Sequence, residues 1–230
     1  AASVTVANTL AELSERIGAA WWEIVPALKL DKRIGQYAYL SPGLGLAGGN
    51  VERDLATVLR FAEATGGEAG LIKSFIVNSR HRCDWVLRTL HHEVLAGNPK
   101  AVLGVLGLAY KENTHSTKNS PSLALIKQLG GRQLRVHDPV VPASAANHPD
   151  AIGCGSAMET ARGVDALVVM TPWPAYRELK PHELARVMAG QTIIDPYRVL
   201  DVAAVAAAGL DYFTLGVPPV RASGSRGARA

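Results

Sequence analysis

Beginning at residue 101, short apolar runs alternate with helix-like segments, and this alternation restricts the fold more than any other feature of the chain. The first run, Ala101–Gly107, contains no polar side chain, which is typical of a parallel strand buried on both faces. Further strands are predicted at 133–137, 166–170, 192–195 and 212–215. Helices are predicted at 120–129, 156–161, 182–188 and 203–208. Strands that alternate with helices predict an α/β fold with a doubly wound parallel sheet.

The first half of the chain has a helical periodicity instead. Leu10, Leu13 and Ile17 recur at helical spacing. One long helix is predicted from Glu68 to Leu95, because apolar residues line one side of it throughout. We therefore expect an all-helical domain joined by this long helix to the α/β domain, and a Gly/Ser/Arg-rich tail that is disordered. The predicted parts are 1–98, 99–218 and 219–230.

Composition excludes several classes of protein. Of the 230 residues, 48% are apolar and 19% are charged, so a packed core is expected. The net charge of +4 suits a phosphate-bearing small molecule, and without a basic helix we expect no nucleic-acid partner. No apolar run is long enough to span a membrane. Two cysteines without metal-ligand spacing, and no signal peptide, favour a cytoplasmic protein without a metal.

A glycine-dense segment lies between predicted helices in the first half. Gly43, Gly45 and Gly48 match the dinucleotide pattern G-x-G-x-x-G, but Pro42 precedes them and no strand does, so the match is not a dinucleotide-binding turn. Glycines let backbone N–H groups approach a ligand. A helix predicted at 51–64 follows, and a helix N-terminus is a natural anion site. We interpret the segment as a ligand-binding loop.

A second candidate site follows the first predicted strand. Residues 108–119 are polar and include Lys111 and Lys118. They lie at the carboxyl end of a strand, where ligands bind in such sheets, and a phosphate or pyrophosphate would suit them. A well-capped surface loop is an equally good interpretation of this segment alone. Asp138-Pro139, and Trp173 with Tyr176, are compatible with simple turn chemistry and packing at the rim.

Taken together, the motifs are more specific than any one of them. Residues 106–122 carry the pattern G-L-A-Y-K followed by S-P-S, and residues 136–139 and 171–176 carry V-H-D-P and T-P-W-P-A-Y. Further segments with the same order and spacing are 30–35, 42–54 and 195–199. In these segments the chain resembles the UDP-glucose/GDP-mannose (nucleotide-sugar) 6-dehydrogenase family. The resemblance covers the central helical and C-terminal UDP-binding domains, and implies that an N-terminal NAD domain is absent from this sequence.

The resemblance places an altered catalytic centre at the start of the helix after the glycine loop. The catalytic cysteine of the family falls at position 50, where this chain has Asn50. Asp54 matches the active-site aspartate. A thiolate is needed because it is strongly nucleophilic, whereas an asparagine amide can hydrogen-bond a hydroxyl or an aldehyde but cannot form a thioester.

The resemblance also implies residues that bind substrate and cofactor. Arg33 matches an arginine that reaches the nucleotide-sugar across a dimer interface, and Lys118 stands where an arginine faces NAD. The other implied substrate-binding residues are Ser41, Gly43, Gly45, Gly48, Tyr110, Lys111, Tyr197 and Arg198.

Two functions remain open. The resemblance implies the nucleotide-sugar-binding portion of an NAD-dependent oxidoreductase of polysaccharide biosynthesis, which binds a UDP-sugar and forms a homodimer. The alternative is a non-catalytic UDP-sugar-binding or dimerisation module, which the loss of the cysteine favours. In either case we expect this chain alone to be inactive.

Overall fold

The computed structural model of the protein describes residues 1–46 and 49–222. The chain divides into two compact units. The first unit comprises Ala1–Trp85 and Leu215–Pro218, and the second comprises Val86–Thr214 and the chain from Pro219 onward. The division lies earlier than the predicted boundary at residue 98, because apolar side chains after Trp85 are buried within the second unit. These are Val86, Leu90, Val94 and Leu95.

The regular elements in the described part of the first unit are helices. Helix α1 spans Ala2–Ile17, α2 spans Trp21–Leu30, α3 spans Asn50–Thr65 and α4 spans Gly70–Cys83. Helix α1 ends at Gly18, whose φ of 80° is the left-handed conformation that glycine adopts without strain. One apolar cluster contains Ala7, Ala11, Trp21 and Leu40, and a second contains Leu46, Leu55 and Phe75.

The prediction of one continuous helix from Glu68 to Leu95 is wrong. Helix α4 ends at Cys83, and the amide of Asp84 bonds to the carbonyls of Arg80 and Arg82 in a tight turn. Helix α5, Trp85–Leu90, follows, and then a π-helical turn at His91–Leu95. Apolar periodicity is the same on both sides of such a turn, so the sequence pattern does not reveal it.

A buried ion cluster joins parts of the first unit. The side chain of Arg82 is fully buried and donates to Glu12 and Glu15 of α1, each at 3.2 Å. Glu15 also accepts the amide of Gly216 at 2.8 Å. His81 contacts both oxygens of Glu12 at 2.9 Å. Burial alone would raise the pKa of Glu12, but the His81 hydrogen bond and the Arg82 charge outweigh it and lower that pKa.

The second unit is built on a parallel sheet. Its strands are β1 (Leu103–Leu106), β2 (Leu134–His137), β3 (Ala151–Gly153), β4 (Ala166–Val169), β5 (Thr192–Ile194) and β6 (Asp211–Phe213). The helices are α6 (Pro121–Gln128), α7 (Ala157–Ala161), α8 (Pro181–Val187) and α9 (Val202–Ala207), with 3-10 turns at Ala143–Ala146 and Pro174–Glu178. All neighbouring strands pair in parallel. The predicted α/β class is confirmed.

Strand β3 is absent from the sequence prediction. It lies at the edge of the sheet, beyond β2, and its three residues are partly or fully exposed. By contrast, the residues of β1, β4 and β5 are all buried. An apolar run identifies a strand covered on both faces, and β3 is not such a strand.

The strand order defines where a ligand would bind. Among the described residues the order is β3-β2-β1-β4-β5-β6, the doubly wound order that reverses direction between β1 and β4. Leu106, the last residue of β1, pairs with His137 of β2 and Val169 of β4. The carboxyl ends of these three strands therefore lie side by side at the point of reversal. We call this the switch edge of the sheet.

Part of the predicted disordered tail has defined contacts. Val220 forms an antiparallel bridge with Tyr212, and Arg221 pairs with Glu93 at 2.7 Å. The amide of Ala222 donates to Asp211 at 2.8 Å. Residues 223–230 of the predicted tail lie outside the described residues.

Two features are missing from residues 1–46 and 49–222. No helix there is both long and apolar enough to cross a lipid bilayer. Nor do three or more His, Cys, Asp or Glu side chains gather there into a group that could hold a metal ion.

The buried cluster predicts a large effect of one substitution in α4. Arg82→Ala leaves the partly buried carboxylates of Glu12 and Glu15 without their buried cation, which costs about 1–3 kcal/mol of unfolding free energy. Arg80→Ala, at an exposed position of the same helix, should change it by less than about 0.5 kcal/mol. Urea unfolding followed by tryptophan fluorescence measures both, and equal midpoints for the two variants would contradict the role of the cluster.

Candidate functional site

The glycine-dense loop of the first unit is held in place by side chains of helices α1, α2 and α4. The amide of Gly43 donates to Asn8 of α1, and the amide of Leu46 donates to Ser79 of α4, both at 2.8 Å. The Trp21 indole donates to the Leu40 carbonyl at 2.9 Å. Ser41 is exposed and Gly43 is partly buried. The predicted site residue Gly48 lies outside the described residues.

Gly45 is required by packing. Its φ is 79°, and a Cβ at this position would lie 2.5 Å from the carbonyl oxygen of Ser79. Sequence reasoning assigned this glycine to close approach of a ligand. The described contacts show that this glycine also lies close to helix α4, and this packing by itself excludes any larger residue.

Asn50 and Asp54 are brought together by helix α3. Asn50 is the first residue of the helix, preceded by Gly49 with a φ of 82°, and Asp54 follows one turn later on the same face. Both are exposed. The carboxylate of Asp54 pairs with its neighbour Arg53 at 3.0 Å. This face therefore offers an amide and a carboxylate at a helix N-terminus.

Cys83 lies against the glycine loop, which the sequence pattern did not show. Its Sγ donates to the Leu44 carbonyl at 3.1 Å. Burial, with smaller contributions from the charges of Glu52 and Asp84, raises the pKa of the Cys83 thiol to about 11. A thiol with that pKa is protonated at neutral pH and is a poor nucleophile. Burial therefore disfavours the ionised form of Cys83 at neutral pH.

Arg33 is on the surface of the first unit. Its side chain is 90% exposed and forms a two-pronged ion pair with Asp31, with one N–O distance of 2.6 Å. The Arg33 hydrogen bonds lower the pKa of Asp31. Asp31 thus holds the guanidinium of Arg33 in one orientation. The planar, forked arrangement of guanidinium N–H groups suits carboxylates and phosphates.

In the second unit, the segment 107–120 leaves β1 at the switch edge with its first residues fixed. The amide of Gly107 donates to His137, and the amides of Leu108 and Ala109 donate to Asp138. The carbonyls of the same three residues accept from Ser122, Ser120 and Thr171 at 2.6, 2.8 and 2.7 Å. All six backbone polar groups are satisfied, as burial of this stretch demands.

Asp138 is the centre of this arrangement. One carboxylate oxygen accepts from Leu108 at 2.7 Å, Ala109 at 3.0 Å and the Trp173 indole at 3.1 Å. The other accepts from Val140 and Val141, both at 2.9 Å. Burial by itself would raise the pKa of Asp138, but the backbone N–H donors outweigh it and hold that pKa below its usual value.

Gly107 lets two strand ends meet closely. Its φ is 98°, and a Cβ there would lie 2.4 Å from the Cβ of Thr171. Strand β4 ends at Val169, and Thr171 is the second residue after it. A larger residue at position 107 would therefore separate the ends of β1 and β4.

The predicted lysines project from the segment that these contacts fix. Tyr110 is partly buried and its amide donates to Ser116 at 3.1 Å. Lys111 is exposed, with its Nζ 5.5 Å from the centre of the Tyr110 ring, a cation–π distance. Lys118 is also exposed.

Tyr197 and Arg198 lie in the turn after β5, at the carboxyl end of the strand next to β4. Asp195 is fully buried and accepts from the Tyr197 amide at 3.2 Å, the Leu200 amide at 2.9 Å and the Tyr212 hydroxyl at 2.8 Å. Burial raises the pKa of Asp195. Arg198 is exposed, with a φ of 54°.

Sequence reasoning missed the residues that support this edge. Asp138 was interpreted only as turn chemistry, and Ser120, Ser122 and Thr171 stood in the motifs without an assigned role. One signal was available: Ser120 before Pro121 is a helix N-cap followed by proline at the first helical position. The remaining bonds join segments distant in sequence, and no spacing rule predicts them.

Comparison with known proteins identifies the family. Residues 104–202 match its UDP binding domain and residues 1–80 match its central domain. These matches cover most of the chain, which therefore belongs to the UDP-glucose/GDP-mannose dehydrogenase family.

Two curated relatives are each about twice as long as this chain. It is 28% identical over 226 residues to UDP-glucose 6-dehydrogenase TuaD of Bacillus subtilis, a match that covers 96% of this chain and 48% of that protein. For UDP-glucose 6-dehydrogenase of Pseudomonas aeruginosa the values are 27% over 228 residues, 95% and 50%. The chain spans about half the length of the curated relatives it matches.

Solved structures agree with the fold. A UDP-glucose dehydrogenase from the archaeon Pyrobaculum islandicum matches with a TM-score of 0.77 and 26% identity, over 92% of this chain and 47% of that one. A UDP-D-ManNAc dehydrogenase from Pyrococcus horikoshii matches with a TM-score of 0.77 and 23% identity, over 93% and 48%. The second likeness supports the fold alone.

The environment of Cys83 predicts slow alkylation. In the Cys154→Ser variant Cys83 is the single thiol, and a pKa of about 11 leaves about one thiol in 1000 ionised at pH 8. Iodoacetamide labelling followed by mass spectrometry should be much slower than in urea-unfolded protein, and should accelerate as the pH rises toward 11. Rapid labelling of the folded variant at pH 7 would show that the thiol is activated.

Proposed function

We propose that this chain is the nucleotide-sugar-binding portion of an NAD-dependent nucleotide-sugar 6-dehydrogenase-like oxidoreductase. The observation that supports it most is the fixed segment 107–120 at the switch edge, because ligands of doubly wound sheets bind where the strand order reverses. The supported segment leads directly to Tyr110 and Lys111.

The charges at this edge suit a diphosphate. Lys111, Lys118 and Arg198 are exposed in the segments after β1 and β5, and Glu112 beside Lys111 is partly buried. The carboxylates of Asp138 and Asp195 are directed inward. Asp138 accepts five N–H groups, and Asp195 is buried. Cationic side chains that remain at the surface attract an anionic ligand, and charge-assisted hydrogen bonds to phosphate are among the strongest that a protein makes. The proposed ligand is therefore a UDP-sugar.

The second unit does not fit NAD in the manner of a dinucleotide-binding domain. Such a domain offers the free backbone N–H groups of a glycine-rich turn to the pyrophosphate. Here the amides of Leu108 and Ala109 already donate to Asp138. Lys118 is the residue that the resemblance assigns to NAD. We assign the main NAD site to another part of the whole protein, the N-terminal domain that the resemblance implies.

Asn50 determines what chemistry the whole protein could perform. An amide can hold a sugar hydroxyl or aldehyde by hydrogen bonds, and Asp54 on the same face could accept a proton. Neither group can form the thioester that leads to a carboxylate. We propose oxidation that stops at the aldehyde, or a redox-neutral epimerisation.

A non-catalytic UDP-sugar-binding or dimerisation module is the second candidate. It is favoured by the exposed Asn50 in place of a nucleophile, and by the protonated state that the raised pKa imposes on Cys83. In both cases we propose a homodimer. Support comes from helix α1, which carries an exposed apolar stripe at helical spacing: Val6, Leu10, Leu13 and Ile17. We further propose a cytoplasmic protein that acts in polysaccharide biosynthesis.

Calorimetric titration with UDP and UDP-glucose tests the site. We expect micromolar binding to the intact chain and a loss of about tenfold or more in Lys111→Ala, because a charge-assisted contact to phosphate is removed. Lys127→Ala is the control, since Lys127 is an exposed lysine on α6 and should leave the affinity unchanged. If the unaltered chain binds neither compound, the nucleotide-sugar function is excluded and only a role in assembly remains.

A further inference from the structure

We propose that Asp138 is the positioning residue of the nucleotide-sugar site, which it builds by tying the ends of β1, β2 and β4 to one carboxylate. The inference rests on the proposed function for the identity of the ligand. It goes beyond that function because it assigns the geometry of the site to a side chain that touches backbone groups and an indole, and for which no ligand contact is proposed.

The two oxygens of Asp138 have separate partners. Oδ1 accepts from Val140 and Val141, which closes the turn that Asp138 itself begins, a common arrangement for aspartate. Oδ2 accepts from Leu108 and Ala109 after β1 and from the Trp173 indole after β4. A turn alone needs Oδ1. The contacts of Oδ2 fix the neighbouring segments.

These contacts determine how Lys111 is presented. Leu108 and Ala109 are completely buried, and the chain reaches the surface at Tyr110 and Lys111. The direction in which it emerges is set first by Ala109, whose amide and carbonyl are bound by Asp138 and Thr171, and the next amide, of Tyr110, donates to the Ser116 carbonyl within the segment. Loss of the hydrogen bond from the Ala109 amide would loosen the start of the segment that carries Lys111 and Lys118.

The site requires a carboxylate and not merely a polar side chain. All five partners of Asp138 are N–H donors, and a carboxylate is an acceptor at both oxygens. Asparagine has the same shape, but it would direct an NH2 group at two or three of those donors. Asp138→Asn therefore tests the electrostatic role with little change in volume.

The chain offers a matched control at the opposite end of β1. Oδ2 of Asp165 accepts the amide of Val102, which directly precedes β1, at 2.8 Å, and Oδ1 faces the Asn98 amide at 3.4 Å. Asp165→Asn makes the same chemical change at a carboxylate that supports the same strand, but away from the switch edge. It separates loss of positioning from general weakening of the sheet.

The experiment combines two measurements on the full chain carrying Asp138→Asn or Asp165→Asn. Amide hydrogen exchange by NMR reports on Leu108 and Ala109, with Val105 inside β1 as the internal reference. Calorimetry reports the affinity for UDP. In Asp138→Asn we expect exchange at the two amides to accelerate relative to Val105, and UDP affinity to fall about 10- to 100-fold. In Asp165→Asn both quantities should stay within about twofold of the unaltered chain.

Each remaining result counts against one proposal. If Asp138→Asn binds UDP as tightly as the unaltered chain, or if both variants lose affinity equally, Asp138 is not a positioning residue. If the unaltered chain binds no UDP, the proposed function fails. In that case the exchange data still decide whether Asp138 fixes the segment, since unchanged exchange at Leu108 and Ala109 would refute that part as well.

Discussion

The carboxylate of Asp138 is the interaction on which the candidate site depends. Three segments that follow three different strands donate N–H groups to it, and without it the partly buried donors of Leu108, Ala109 and Trp173 would be unpaired. Such donors are costly to leave unsatisfied, so the three strand ends are held in one arrangement. The carbonyls of 107–109 are satisfied in turn by Ser122, Ser120 and Thr171. The segment that carries the exposed lysines is therefore fixed at its first three residues.

The sequence was sufficient for the sheet but not for all of its parts. The apolar runs that became β1 and β4 are buried on both faces, and burial of that kind leaves a pattern in the sequence. Strand β3 is an exposed edge and leaves none. The turn at Asp84 was missed because apolar side chains continue at helical spacing on both sides of it.

The candidate site, like the sheet, could be predicted from the sequence only in part. Lys111, Tyr197 and Arg198 could be placed at the carboxyl ends of strands from their positions after predicted strands. Their supports could not, because Asp138 meets Leu108 across 30 residues and Thr171 meets Ala109 across 62. In the first unit, Gly45 and Cys83 were noticed separately, yet their contact through the glycine loop becomes visible only in three dimensions. Long-range hydrogen bonds between side chain and backbone follow from the fold and from no local rule.

The two units differ in the chemical groups that they present. The first unit has an amide at position 50, a carboxylate at Asp54 and a thiol at Cys83 whose raised pKa keeps it protonated. No group at these three positions can supply a nucleophilic thiolate at neutral pH. In the second unit, hydrogen bonds to Asp138, Ser120, Ser122 and Thr171 fix the start of a segment with exposed cations. Binding therefore has a firmer structural basis in this chain than catalysis does.

The most direct test of this account is an NMR titration of the isotopically labelled chain with UDP. If UDP binds at the carboxyl ends of β1, β4 and β5, as the account proposes, chemical shifts change in the segments after these strands, and most strongly around Lys111. Shift changes confined to the opposite edge of the sheet, around Gln133, Asp165 and Gln191, would contradict it. So would the absence of any change.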